Sequence, residues 1–123
     1  MFKRVKYELS SMLGVVKVEI WVEEGKLHYS KETLTRPEEE VNNEISNVSA
    51  EAFSKKVEAL RINNWKKEYQ PQGYDVLDGV FWEVEYEEAD GKKVKCSGEN
   101  AFPSNWKAFK MLLSNVAGNV NID

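Results

Sequence analysis

At 123 residues the chain suits a single domain that buries about two thirds of the surface its unfolded form exposes, so it needs no disulfide staple. An apolar content of 41% excludes a disordered chain, and a single cysteine, Cys96, excludes an internal disulfide. The net charge of −4 disfavours nucleic acid as a partner, because nonspecific binding rests on clustered lysine and arginine neutralising phosphates.

The N-terminus Met1-Phe2-Lys3-Arg4-Val5-Lys6 lacks the apolar core of a signal peptide, and no stretch approaches the ~20 apolar residues that span a bilayer. The expectation is a cytoplasmic protein with no membrane partner. Val5, Tyr7 and Leu9 alternate with Arg4, Lys6 and Glu8 and predict a first strand that breaks at Ser10–Gly14. A second strand, Val15 to Glu23, places Val16, Val18, Ile20 and Val22 on one face. Glu24-Gly25 then turns the chain into a third strand, Lys26 to Lys31. A two-residue turn sets Val22 against Leu27, Ile20 against Tyr29, Trp21 against His28 and Glu23 against Lys26.

Thr35 to Asn47, with Pro37, a run of glutamates and paired asparagines, reads as an exposed connection. Ser49 is suited to cap a helix running to about Leu60, with Phe53, Val57 and Leu60 as its buried stripe and Val48 stapled onto Phe53. Asn63 and Asn64 read as its stop, since asparagine tolerates left-handed backbone. A turn-rich loop, 70 to 74, returns to a second hairpin. In that hairpin only one register puts Glu87 opposite Lys93 and Glu85 opposite Lys95 while keeping Tyr86 with Val94 and Val84 with Cys96. A three-residue loop with Gly91 left-handed produces it. The last helix is expected from about Pro103 or Ser104 to Gly118, capped by Asn100 or Ser104. Its apolar face is Phe102, Trp106, Phe109, Leu113 and Val116, and the tail 119–123 is expected to fray.

The predicted fold is therefore a single α+β domain over residues 1–123, an antiparallel sheet of about five strands with two helices on one face in the order βββαββα. Strand parity puts Cys96 inward and His28 outward, which separates the one conceivable nucleophile pair. Two Cys or His residues cannot make a structural zinc site, and Asp75, Asp78 and Asp90 lack the alternating spacing of a calcium loop. Glu83, Glu85 and Glu87 share a strand face with lysines opposite, which keeps carboxylates ionised rather than poised for acid catalysis. Gly98 to Pro103 precedes a helix but has too few glycines for a phosphate loop. No catalytic motif, metal or cofactor is implied.

What remains is a surface. With both helices on the face of Val18, Ile20, Leu27, Trp82 and Val84, the rings of Trp21, His28 and Phe81 emerge on the other face among Glu19, Glu83, Glu85 and Lys95, a composition suited to a contact with another protein or a second copy. The expected function is a small cytoplasmic protein-binding module or adaptor of immunity or regulatory type. The alternative is a small-ligand binder or enzyme with a pocket beside the 70–78 loop, lined by Tyr69, Tyr74, Asp78 and Asn100.

In the second half, Trp65, Tyr69, Asp78-Gly79, Trp82 and then Gly98-x-Asn100-x-Phe102-Pro103-x-Asn105-Trp106 resembles a pattern of small uncharacterised bacterial proteins. The resemblance implies a shared hairpin-and-helix unit and carries no activity.

Overall fold

The computed structural model describes residues 2–33, 40–70 and 79–121. Strand β1 (Phe2–Ser11) turns through Met12-Leu13 into β2 (Gly14–Glu23), which turns through Glu24-Gly25 into β3 (Lys26–Thr33). The β2–β3 register is the one the sequence predicts, with Trp21 opposite His28, Val22 opposite Leu27 and Glu23 opposite Lys26. Both turn residues have positive φ, 52° at Glu24 and 75° at Gly25, as a two-residue hairpin turn requires. A left-handed glutamate costs ~1 kcal/mol or more, whereas asparagine visits that region readily. Glu24→Asn is therefore expected to raise stability by ~0.5 kcal/mol, read as a higher urea midpoint at unchanged slope.

The second hairpin, β6 (Phe81–Glu88) and β7 (Lys93–Glu99), also has the predicted register, with Glu87 opposite Lys93, Glu85 opposite Lys95 and Val84 opposite Cys96. Its loop closes through the Glu88 N–H donating to Lys92 O and the Gly91 N–H donating to Glu88 O, with Gly91 at φ 95°. Strand β1 joins the two hairpins at the centre of the sheet, antiparallel to β2 on one edge and to β6 on the other.

Among the described residues the sheet has seven strands rather than five and is mixed rather than purely antiparallel: with β4 at Glu40–Ile45 and β5 at Glu68–Tyr69, the order is β4-β3-β2-β1-β6-β7-β5. Strand β4 (Glu40–Ile45) lies in the segment read as a connection, and it pairs antiparallel with β3 from Glu40 opposite Thr33 to Ile45 opposite His28. Its sequence carries little strand propensity, but an edge strand tolerates polarity because backbone bonds to one neighbour hold it. The Tyr29 hydroxyl adds a 2.5 Å hydrogen bond donated to Glu44 Oε2. Thr35, Arg36 and Pro37 lie outside the described residues. Strand β5 (Glu68–Tyr69) is two residues long and runs parallel to Ser97-Gly98 of β7.

Helix α1 (Ala50–Ala59) begins as expected, with Ser49 Oγ accepting from the Ala52 N–H at 3.3 Å. It stops differently: the left-handed residue is Arg61, and Asn63 and Asn64 sit inside a short 3-10 helix, Ile62–Asn64. Helix α2 (Trp106–Ala117) starts two residues later than expected and ends at Gly118. Both helices pack on the sheet face of Val5, Tyr7, Val16, Ile20 and Val84, where Phe53, Val57, Phe109 and Leu113 close the core.

Two buried phenols bound the working pH of this core. Tyr7 donates its hydroxyl to Val120 O at 2.9 Å, and burial raises its pKa. Tyr86 is pushed up to about 12, first by burial and then by the charges of Glu88 and Glu58. A folded-state pKa above the unfolded value contributes stability that is complete below pH 10 and is lost as pH rises toward the folded pKa. From pH 9 to 11 the urea midpoint is expected to fall, with Tyr86 alone removing ~1 kcal/mol.

Candidate functional site

Because the helices cover one face of the sheet, alternate residues of the strands form an open face, and the registers place them in rows. One row runs Ser30, Glu19, Lys6, Glu85 and Lys95 across β3, β2, β1, β6 and β7. The next runs Glu32, Lys17, Glu8, Glu83 and Ser97. All of these except Ser97 line a depression of about 290 Å³. Charges alternate in the first row, but in the second Glu8 stands directly opposite Glu83, a like-charge pair that disfavours the sheet locally. Lys95 Nζ relieves part of this from 3.0 Å to Glu83 Oε1, and that carboxylate holds the ammonium above its ordinary pKa. Arg4 Nε lies 3.0 Å from Glu19 Oε1.

At one end of this face Trp21 and His28 stack, with ring centroids 5.8 Å apart and planes 15° from parallel. The Trp21 indole N–H donates to Glu23 Oε2 at 3.4 Å, and Ile45 lies opposite His28 and is exposed. Phe81 is on the same face but does not join them. Trp21 aligns with Arg4 on β1 and Phe81 with Ser10, six residues along the strand, so they are ~20 Å apart at ~3.3 Å per residue. The surface expected around Trp21, His28 and Phe81 is therefore two separate places.

Cys96 and His28 fall on opposite sides of the sheet, as parity predicts, and burial pushes the Cys96 thiol up. Of the alternative pocket, Tyr74 and Asp78 lie outside the described residues. Tyr69 lies against Trp82 with ring centroids 5.7 Å apart and planes tilted by 41°, and its hydroxyl accepts from the Lys66 N–H, while Asn100 Oδ1 accepts from the Val80 N–H at 2.8 Å. The Tyr69 hydroxyl and Asn100 Oδ1 are thus committed to architecture, while the buried Asn100 Nδ2 has no hydrogen-bond partner among the described residues.

The same holds for the rest of the C-terminal pattern. Trp82 donates its indole N–H to Ala101 O at 2.8 Å and lies against Trp106 at 4.6 Å, with Trp65 and Phe102 completing an aromatic cluster. Gly98 leaves the space that the Trp82 indole fills, and Gly79 does the same for the Asn100 carboxamide. Neither Asn100 nor Ser104 caps α2; Asn100 takes φ 51° and binds Val80, the residue before β6, instead. Asn105 occupies the cap position, but its side chain accepts from the Trp65 indole at 3.0 Å and donates to Leu60 O at 2.8 Å. Phe102 precedes α2 rather than belonging to it, and is partly exposed.

Sequence reasoning passed over the Met12-Leu13 turn, whose side chains are 81% and 76% exposed. The signal was present: two large apolar residues stand where turns ordinarily carry glycine, asparagine or aspartate. Among the described residues no helix is long and apolar enough to cross a membrane. The chain matched no protein-family model, no curated protein and no solved structure.

Proposed function

We propose that the chain is a small cytoplasmic protein-binding module, an adaptor of immunity or regulatory type, acting through the open face of its sheet. The observation that carries this reading is the stacked Trp21–His28 pair beside the Arg4–Glu19 ion pair on a face that neither helix covers. An aromatic anchor ringed by charges of both signs is the composition of an interface centre, where a few residues hold most of the binding energy. The neighbouring depression, with Glu8 opposite Glu83 on its floor, suits a partner that brings a basic side chain to that spot.

The test is quantitative affinity capture from a native lysate with three baits: wild type, Trp21→Ala/His28→Ala, and a control altered in the exposed Glu51–Lys55 pair of α1. A partner retained by wild type and control, and weakened ~10- to 100-fold by the open-face variant, is the expected result. Equal recovery on all three baits removes the assignment of this face.

A further inference from the structure

We propose that the open face of the sheet pairs with the same face of a second copy of this chain, about a two-fold axis that runs parallel to the strands between β1 and β2. The inference rests on the open face being a contact surface, as argued above, and names what it contacts. Leaving aside the two-residue β5, β1 and β2 are the middle pair of six strands, so this axis overlaps the two faces most fully. Rotation about it lays β1 of one copy over β2 of the other and keeps each row in place. Each β2 residue then meets, on the second copy, the β1 residue that it already faces within its own sheet. The register puts Trp21 against Arg4 of the second copy, Glu19 against its Lys6 and Lys17 against its Glu8, each contact made twice. One strand further out, His28 meets Glu87 and Ser30 meets Glu85. A guanidinium over an indole and opposite charges in the next two rows are all attractive. The like-charge contact among these rows, Glu32 against Glu83, is offset by Lys95, whose Nζ is 3.0 Å from Glu83 Oε1.

Two observations favour a copy over a foreign chain. Among the described residues Lys6, Glu8 and Lys17 make no ion pair within the chain, so the charges nearest the axis are uncommitted. A purely basic segment would satisfy Glu8 but crowd Lys6 and Lys17, whereas the copy brings a matching sign to all three. The pattern also selects this axis. A two-fold axis across the strands, along the row of Glu19, Lys6 and Glu85, would set each of those charges against itself. One between β1 and β6 would stack Glu8 on Glu83 twice. Six strands ~4.8 Å apart and about seven residues deep cover ~650 Å² per copy, or ~1,300 Å² in all. That is the lower end of stable interfaces, so the dimer is reversible and concentration-dependent.

The test is sedimentation velocity over a concentration series on wild type, Lys17→Glu, Glu8→Lys and an equimolar mixture of the two variants. Lys17 is exposed and Glu8 half-buried on the open face, and circular dichroism verifies that each variant keeps its fold. Each variant alone sets like charges together on both sides of the axis, whereas the mixture restores two opposite-charge contacts, a rescue that no change in folding imitates. The expected result is a wild-type dimer, at least ~10-fold weaker self-association in either variant, and a mixture within ~3-fold of wild type. A wild type that stays monomeric, variants that dimerise as wild type does, or a mixture that stays monomeric overturns the proposal. The lysate capture judges the face separately. A monomeric wild type whose foreign partner is lost with Trp21→Ala/His28→Ala overturns the second copy and leaves the open-face reading standing. A dimer indifferent to the charge variants, with equal recovery on all three baits, removes both.

Discussion

Gly98→Ala is expected to destabilise the fold by ~3 to 4 kcal/mol and to lower Tm by about 10 °C or more. A Cβ at this position meets Trp82 Nε1 at 2.3 Å and Ala101 O at 2.6 Å, both well inside contact distance. Neither neighbour can yield cheaply. The indole is wedged among Trp65, Tyr69, Phe102 and Trp106, and Ala101 O is the acceptor of its hydrogen bond. The methyl group therefore overpacks the cluster, typically ~1–3 kcal/mol, and breaks a bond worth ~1 kcal/mol. Gly25→Ala is the control, since nothing lies within 4 Å of its Cβ and only the positive φ of 75° is at stake. It is expected to lose ~1–2 kcal/mol. Equal losses at the two sites, measured by urea unfolding, would contradict the packing argument.

Asn105→Ala is expected to lose ~2–3 kcal/mol, a large effect for a half-buried polar side chain. The carboxamide joins three parts of the chain: the Trp65 indole N–H bonds to its oxygen, its nitrogen bonds to Leu60 O at the end of α1, and its own backbone leads α2. Truncation leaves an indole N–H and a carbonyl without these partners. Asn105→Asp separates the two roles, because it keeps the acceptor for Trp65 and places a carboxylate against Leu60 O where a donor stood. It is expected to fall with Asn105→Ala at pH 7 and to recover part of the loss near pH 4, as the aspartic acid protonates and again offers a donor. Tryptophan fluorescence follows both variants, since the lost bond is to an indole.

What was legible in the sequence was what short-range pattern controls. The registers of both hairpins follow from period-two alternation combined with opposite charges, as in Glu85 with Lys95, and from turns of fixed length. Strand β4 was not legible because Asn42, Asn43 and the glutamates around them announce a loop; its place depends on the backbone edge that β3 offers. The docking of β1 between the hairpins is a pairing across more than 70 residues, with no local signature. The bridging role of Asn105 left no local trace because its partners lie 40 and 45 residues upstream. The candidate surface divided for a similar reason: parity correctly put Trp21, His28 and Phe81 on one face, but position along the strands separated them.

The central position of β1 also sets the order of events during synthesis. During synthesis β1 finds β2 within a few residues, so a three-stranded meander can assemble before β6 exists, with one edge of β1 still bare. That edge waits for β6, whose partners begin at Phe81, and the Tyr7 hydroxyl waits for Val120. Closing a loop of about 70 residues carries an entropic cost that nearest-neighbour hairpins avoid. Completion of the sheet thus depends on the second hairpin, and until β6 docks the edge of β1 presents unpaired backbone groups to which another chain can pair.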